Sequence, residues 1–437
     1  MSMSVRSLDM KHYRQAIKNL MESRLKAVDA GDYSFNIPTF CWGPPGIGKS
    51  KIIEAICRES WESLDAKGVP VVNPVVLNKL RPWDAANWSF YSEEDVKAVS
   101  KIKDGYILMD VRLSQVDPVE IKGAPFYDIK NMKAGFIRFN SILPDPKCPY
   151  PVFLLLDEFP LAPDLVQSAG YQLINDRKVG DYRLPDRCVV LAAGNRPEDG
   201  GVHFEMSMAL ENRFDHISLD IDYRGFIKYM GKKGYDETLV AFLQYSHEAD
   251  KPVLYKLDQG KGNFPTFRSW EKAALKIKYG YREDDAIADS VGQAGAAKFT
   301  TFKELTKDIP EPKVLVKKRI YFEETALQLV ASQKVGNQLL MKETLDKMSD
   351  EEAFDYFSYF VDMKNPKDKS DNREELTVLF LVNIRDDMDI LEKIDKGFKK
   401  AIKAGKIKIE LTEAKEKIDN IFTMILEKWS TLREIEV

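Results

Sequence analysis

The residues Gly43-Pro44-Pro45-Gly46-Ile47-Gly48-Lys49-Ser50 fit the pattern of a glycine, four free positions, then Gly-Lys-Ser. Glycines in such a loop let backbone N–H groups turn inward around phosphate oxygens. The lysine brings a positive charge to the β- and γ-phosphates, and the serine hydroxyl can ligate Mg2+. A helix opening behind the loop points its N-terminus at the anion. The chemistry is phosphate binding, and each of these residues is a candidate contact.

Phe153-Leu-Leu-Leu-Asp157-Glu158 supplies a complementary half. Apolar residues ending in two carboxylates put Asp157 and Glu158 at the carboxyl end of a central strand, where a doubly wound sheet presents its ligands. Asp157 would hold Mg2+ through water, and Glu158 would polarise an attacking water. Many strands end in solvated acids, and it is the position after a phosphate loop that gives this pair its role.

Such residues need elements to hold them. Residues 10–28 read as an amphipathic helix, with Tyr13, Ile17, Leu20, Met21 and Leu25 at helical spacing. An apolar run at 37–42 predicts a buried strand entering the glycine loop, and helical periodicity returns after Lys51. Further short apolar runs at 106–110, 152–156 and 188–193 alternate with helical stretches such as 164–175. The expected fold class is α/β, a doubly wound parallel sheet covered on both faces. Beyond Arg224 the pattern becomes helical, with helices expected at 268–278 and 285–302. After the prolines of 307–313 the chain is helical and charge-dense. Capping-box spacings occur at Ser349/Glu352 and Asp371/Glu374, and 364–373 reads as a linker. The expected organisation is a nucleotide-binding domain over 1–225, a smaller helical unit over 226–306 and a helical extension over 307–437.

Composition narrows the classes. A length of 437 residues allows several domains. Lys plus Arg number 65 against 69 Asp plus Glu, a net charge of −4, which argues against a dedicated DNA-wrapping protein while leaving room for a local basic groove. Cys41, Cys57, Cys148 and Cys188 form no CxxC pair, and His12, His203, His216 and His247 form no HExxH. Neither a disulfide scaffold nor a structural zinc site is expected. No apolar run is long enough to span a bilayer and none opens the chain, so a cytoplasmic protein without signal peptide is expected.

From about residue 38 to 302 the chain resembles the AAA+ ATPases, and most closely their MoxR-like branch. Leu191-Ala-Ala-Gly-Asn195-Arg196 resembles the family's sensor 1 strand, which implies that Asn195 orients the lytic water. Ala209-Leu-Glu-Asn-Arg213-Phe214 is similar to the segment ending in the arginine finger, which implies that role for Arg213. Its bland reading is a surface salt bridge to Glu211 or Asp215. Phe264-Pro-Thr-Phe267-Arg268-Ser-Trp270 resembles the start of the lid helix, with Arg268 as sensor 2, although Phe267 stands where the family has proline. Residues 110–123 resemble the loop after the family's second strand, and 176–185 the hairpin before sensor 1.

The segment 123–149 matches the position of the branch's helix-2 insert. In a ring it would face the central pore, making Phe136, Ile137 and Phe139 candidates to grip a substrate, although aromatics more often pack. A longer insertion, 59–105, carries Trp61, Trp83 and Trp88 and reads equally as a binding surface or a packed elaboration. The last helical stretch, 410–433, spaces Leu411, Ala414, Ile418, Ile421, Ile425, Trp429 and Leu432 by threes and fours; packing on its own domain is favoured over partner binding.

The resemblance implies a Mg2+-dependent ATPase with Lys49, Glu158, Asn195 and Arg213 catalytic. Gly43 to Ser50 and Arg268 would hold ATP, and Ser50 and Asp157 the metal. It further implies a homo-oligomeric ring, a hexamer, that remodels or activates a protein client together with a separate von Willebrand A-type protein; the metal-adhesion pattern DxSxS is absent from this chain. Two other classes stand beside it. A nucleic-acid motor or loader is disfavoured by the charge balance and the lack of an appended helix-turn-helix or zinc module. A nucleotide-gated scaffold with little turnover is disfavoured by Glu158, Asn195 and Arg213 occurring together.

Overall fold

The computed structural model describes residues 5–62, 83–84, 105–137, 142–196, 199, 206–249, 251–256, 263–322, 325–340, 342–361 and 388–404. Trp88, Phe139, the linker at 364–373, the Asp371/Glu374 spacing and the stripe at 410–433 lie outside these, as does most of 59–105. The chain forms two compact units, Met1–Asp222 with Thr266–Arg268, and Tyr223–Pro265 with Ser269–Val437.

The first unit runs β1 (Arg6–Leu8), α1 (Met10–Asp29), β2 (Thr39–Trp42), α2 (Lys49–Glu62), β3 (Ile107–Arg112), α3 (Pro118–Lys122), β4 (Ala124–Asp128), β5 (Lys133–Ile137), β6 (Val152–Asp157), α4 (Asp164–Asp176), β7 (Lys178–Val179), β8 (Tyr182–Arg183), β9 (Cys188–Gly194), α5 (Met208–Glu211) and β10 (Asp215–Leu219). Six strands make one sheet in the order β1-β10-β2-β9-β6-β3. Every pairing in it is parallel. β2 and β9 are buried along their whole length, and β6 up to its last residue. Continuous apolar runs of this kind mark parallel strands covered on both faces.

β9 stands between β2 and β6, with Thr39 opposite Leu191 and Leu155 opposite Leu191 on the other side. Small residues let the chain close up at its end. A Cβ on Gly194 would sit 2.4 Å from the Pro160 ring, in the 3-10 turn Phe159–Leu161 that follows β6.

Asp9 caps α1 by accepting the His12 backbone N–H at 2.7 Å. Tyr13, Ile17 and Met21 then form a fully buried stripe, each such apolar burial contributing about 1.5–3 kcal/mol. Arg24, one turn further, is buried too, and its guanidinium is satisfied by the carbonyls of Asp186 and Phe35. Within 123–149, β4 and β5 pair as an antiparallel hairpin. Tyr127, Ile129, Met132, Phe136 and Ile137 are exposed on it.

In the second unit the described elements are helices: α6 (Tyr223–Lys232), α7 (Glu237–Ala249), α8 (Lys251–Leu254), α9 (Phe267–Lys278, whose first two residues belong to the first unit), α10 (Glu283–Val291), α11 (Gln293–Thr306), α12 (Pro312–Lys318), α13 (Thr325–Leu340), α14 (Lys342–Lys347), α15 (Asp350–Val361) and α16 (Met388–Lys403). Trp270 is fully buried, its indole N–H donating to the Val253 carbonyl at 3.0 Å. Phe242 packs against it and against Phe299 and Phe302. The stretch 285–302 reads as one helix but is two. Gly292 interrupts it at φ +103°, with space for a Cβ blocked by the Asn263 carbonyl at 2.7 Å. The capping box at Ser349 is formed, Ser349 N–H to the Glu352 carboxylate at 3.0 Å and Glu352 N–H to Ser349 Oγ at 3.2 Å. Among the described residues no helix is long and apolar enough to cross a membrane.

Candidate functional site

β2 ends at Trp42 and α2 opens at Lys49, so Gly43–Gly48 forms the connecting loop. A side chain at Gly43 would meet the Leu219 carbonyl at 2.8 Å, and Gly46 turns at φ +75°, a region open to glycine. Lys49 is buried in the first turn of α2. Its ammonium donates to the carbonyls of Gly43 (2.5 Å) and Pro44 (3.1 Å) and to Oδ1 of Asn195 (3.1 Å), which uses all three of its hydrogens. Burial pushes the ammonium down to about 8, and the Asp157 carboxylate opposes the shift.

Asp157 ends β6 with both carboxylate oxygens engaged. Ser50 Oγ donates to Oδ2 at 2.9 Å, and the Glu158 backbone N–H donates to Oδ1 at 2.9 Å. The hydroxyl and the carboxylate assigned to the metal from sequence are therefore in direct contact. Glu158 adopts φ 56° and ψ 33°, a left-handed conformation that costs a non-glycine residue about 1–2 kcal/mol. The Ser114 hydroxyl, in a 3-10 turn after β3, donates to the Glu158 carboxylate. Nothing in the sequence marks Ser114. On β3 itself, loss of surrounding water pushes the Asp110 carboxyl up to about 6, and the charge of Asp157 adds to the rise.

Asn195 follows β9, the strand between those of the loop and the carboxylates, and so meets Lys49. The next residue, Arg196, donates from Nε to Ser218 Oγ at 3.1 Å and pairs with Asp220 at 3.2 Å, tying the end of β9 to the end of β10. The Arg268 backbone N–H donates to the Gly46 carbonyl at 3.1 Å, and its exposed guanidinium is among the charges that lower the Lys49 ammonium.

Arg213 stands apart. Its guanidinium carbon lies 4.8 Å from the centre of the Tyr171 ring, a cation–π contact, and Nη1 donates to the Ala209 carbonyl at 3.3 Å. The buried Nε has no hydrogen-bond partner among the described residues. Arg213 forms no ion pair with Glu211 or Asp215, and no hydrogen bond with Lys49, Asp157, Glu158 or Asn195, among the described residues.

No family model matches the chain, and no curated protein matches it. Among solved structures it is similar to a mutant RuvB from Thermotoga maritima, at 11% identity and a TM-score of 0.29, over 84% of this chain and 87% of that one. It is also similar to NtrX from Brucella abortus in complex with ADP, at 12% identity and a TM-score of 0.25, over 85% of this chain and 65% of that one. Likenesses this loose leave the functional argument to the site itself.

Proposed function

We propose that this chain binds ATP with Mg2+ and hydrolyses it, as an AAA+ ATPase of the MoxR-like kind. The observation that carries the reading is the meeting of Lys49 with Asn195, and of Ser50 with Asp157 beside Glu158, beyond the carboxyl ends of the adjacent parallel strands β2, β9 and β6. That edge of a parallel sheet is where ligands bind.

In this reading the triphosphate lies against the loop and the N-terminus of α2, where backbone N–H groups and the Lys49 charge offset its anions. Ser50 and Asp157 would hold Mg2+, which would supply positive charge to offset that of the triphosphate. Glu158 takes the proton side of the chemistry, orienting a water for attack, and Ser114 fixes the carboxylate that does so. Asn195, bonded to Lys49, would stand on the γ-phosphate side and help orient that water. In this chain the Arg213 guanidinium rests on the Tyr171 ring and the Ala209 carbonyl, and its service to the nucleotide of a neighbouring subunit rests on the sequence resemblance. The hexameric ring, the remodelling of a protein client and the von Willebrand A-type partner rest on the sequence resemblance. Phosphate release by the purified protein, compared with its Lys49→Ala variant, tests the proposal. Equal release by both, or none by either, would refute it.

A further inference from the structure

One hydrogen-bonded side chain links the strand entering the phosphate loop to the turn that carries Arg213. Trp42, the residue before Gly43, donates its indole N–H to Nδ1 of His216 on β10 at 2.9 Å. The other ring nitrogen, Nε2, lies 2.9 Å from the Glu211 carbonyl. These partners fix the protons. An indole N–H only donates and a carbonyl only accepts, so Nδ1 carries a lone pair and Nε2 carries the hydrogen. The ring is held flat as well, stacked at 5.9 Å from Phe40 and 6.1 Å from Trp42.

Glu211 is the last residue of α5, and its carbonyl also accepts the Phe214 backbone N–H at 3.2 Å. Arg213 lies inside the turn that this bond closes. The imidazole therefore clamps the arginine turn to the strand whose next residue opens the phosphate loop. β2 and β10 are already paired in the sheet, with Phe40 opposite His216 and Trp42 opposite Ser218. The turn is also tied to β2 by Phe214, whose ring packs edge-to-face on Phe40 at 5.4 Å, and by the Asp215 N–H on the Pro38 carbonyl at 2.9 Å. The His216 relay adds the hydrogen-bonded link to the Glu211 carbonyl itself.

We infer that His216 is a positioning residue for Arg213. It sets the place of the Glu211–Phe214 turn from the position of Trp42, so that the arginine is presented in a register dictated by the chain's own phosphate loop. The inference rests on the ATPase reading above and adds a connection between the two ends of one subunit's machinery. His216 touches no nucleotide in this scheme and acts only through Arg213.

The test compares His216→Phe, His216→Gln and Trp42→Phe with wild type for ATP affinity and single-turnover hydrolysis. His216→Phe keeps an aromatic ring on Phe40 and removes both hydrogen bonds. A glutamine amide offers the same acceptor and donor pair, so His216→Gln should restore most of the loss. Trp42→Phe removes the donor while keeping an aromatic, though smaller, ring beside Phe40 and His216, and serves if His216→Phe does not fold. The expected result for His216→Phe and Trp42→Phe is ATP binding within about twofold of wild type and hydrolysis slower by roughly 10–100-fold, the scale of a misplaced catalytic group. Adding His216→Phe to Arg213→Ala should slow hydrolysis no further. Wild-type rates in both single variants, or an equal further loss on top of Arg213→Ala, would overturn the inference while leaving the ATPase reading intact. A wild-type protein without turnover overturns both.

Discussion

Lys49 and Asn195, 146 positions apart in the chain, are joined by a 3.1 Å hydrogen bond. The sheet order makes this contact. Because β9 runs between β2 and β6, the residue following β9 emerges between the phosphate loop and the Asp157–Glu158 pair. The same order puts the Ser50 hydroxyl on Asp157.

Separating the roles of the lysine and the glutamate gives a first expectation. Lys49→Ala should abolish measurable ATP binding, because it removes the buried charge that the proposed function sets against the phosphates. Ser114→Ala should leave ATP affinity unchanged and lower kcat by about tenfold, since it frees the carboxylate of Glu158 without touching the loop. Fluorescent-nucleotide titration beside steady-state phosphate release checks both. A Ser114→Ala variant with weakened affinity and unchanged kcat would count against its assigned contact.

The Lys49 ammonium sets a pH dependence. In the nucleotide-free protein it titrates at about 8, lowered by burial. Triphosphate beside it favours the charged form and raises that value. Below pH 8 the lysine is charged in both states, so affinity should be flat. Above pH 8 the free protein must take up a proton to bind, so affinity should fall by about tenfold per pH unit. Calorimetry in buffers of different ionisation enthalpy would register that uptake. Constant affinity to pH 9.5 with no proton uptake speaks against a buried, depressed Lys49.

Arg213 carries the expectation about assembly. Arg213→Ala and Lys49→Ala should each be close to inactive, since an arginine finger is worth roughly 10³–10⁵ in rate. Mixed and shown by native mass to co-assemble, the two variants can form interfaces with an intact Lys49 on one side and an intact Arg213 on the other. Activity of the mixture should exceed the sum of the separate preparations. Co-assembly without that gain would show that Arg213 does not act across subunits.

The core of the second unit can be probed through Trp270, which is fully buried and bonded to the Val253 carbonyl. Trp270→Ala should cost about 3–5 kcal/mol and shift the unfolding midpoint in urea. A change below 1 kcal/mol would mean that the indole contributes little to that core.

Much of this site was readable as sequence because its signals are local. The glycine loop, the apolar run into Asp157 and Glu158, and the helical stripe of Tyr13, Ile17 and Met21 depend on neighbours within a few positions. Other features have no local signature. β1 is three residues long, too short for alternation to register. Ser114 and His216 look like ordinary polar residues, and their meaning comes from partners 44 and 174 positions away. Helical periodicity ran through Gly292 because apolar residues continue on both sides. The break comes from its backbone sign and the Asn263 carbonyl pressed against it, neither of which composition reveals.

The ATPase reading meets its most direct test in Glu158→Gln. The variant keeps the phosphate loop, Lys49, Ser50 and Asp157 and removes only the carboxylate that would activate water. ATP affinity of the purified variant should match wild type within about twofold, while single-turnover hydrolysis falls by at least about a hundredfold. Wild-type hydrolysis at full rate in Glu158→Gln, or loss of ATP binding equal to that of Lys49→Ala, would contradict the account.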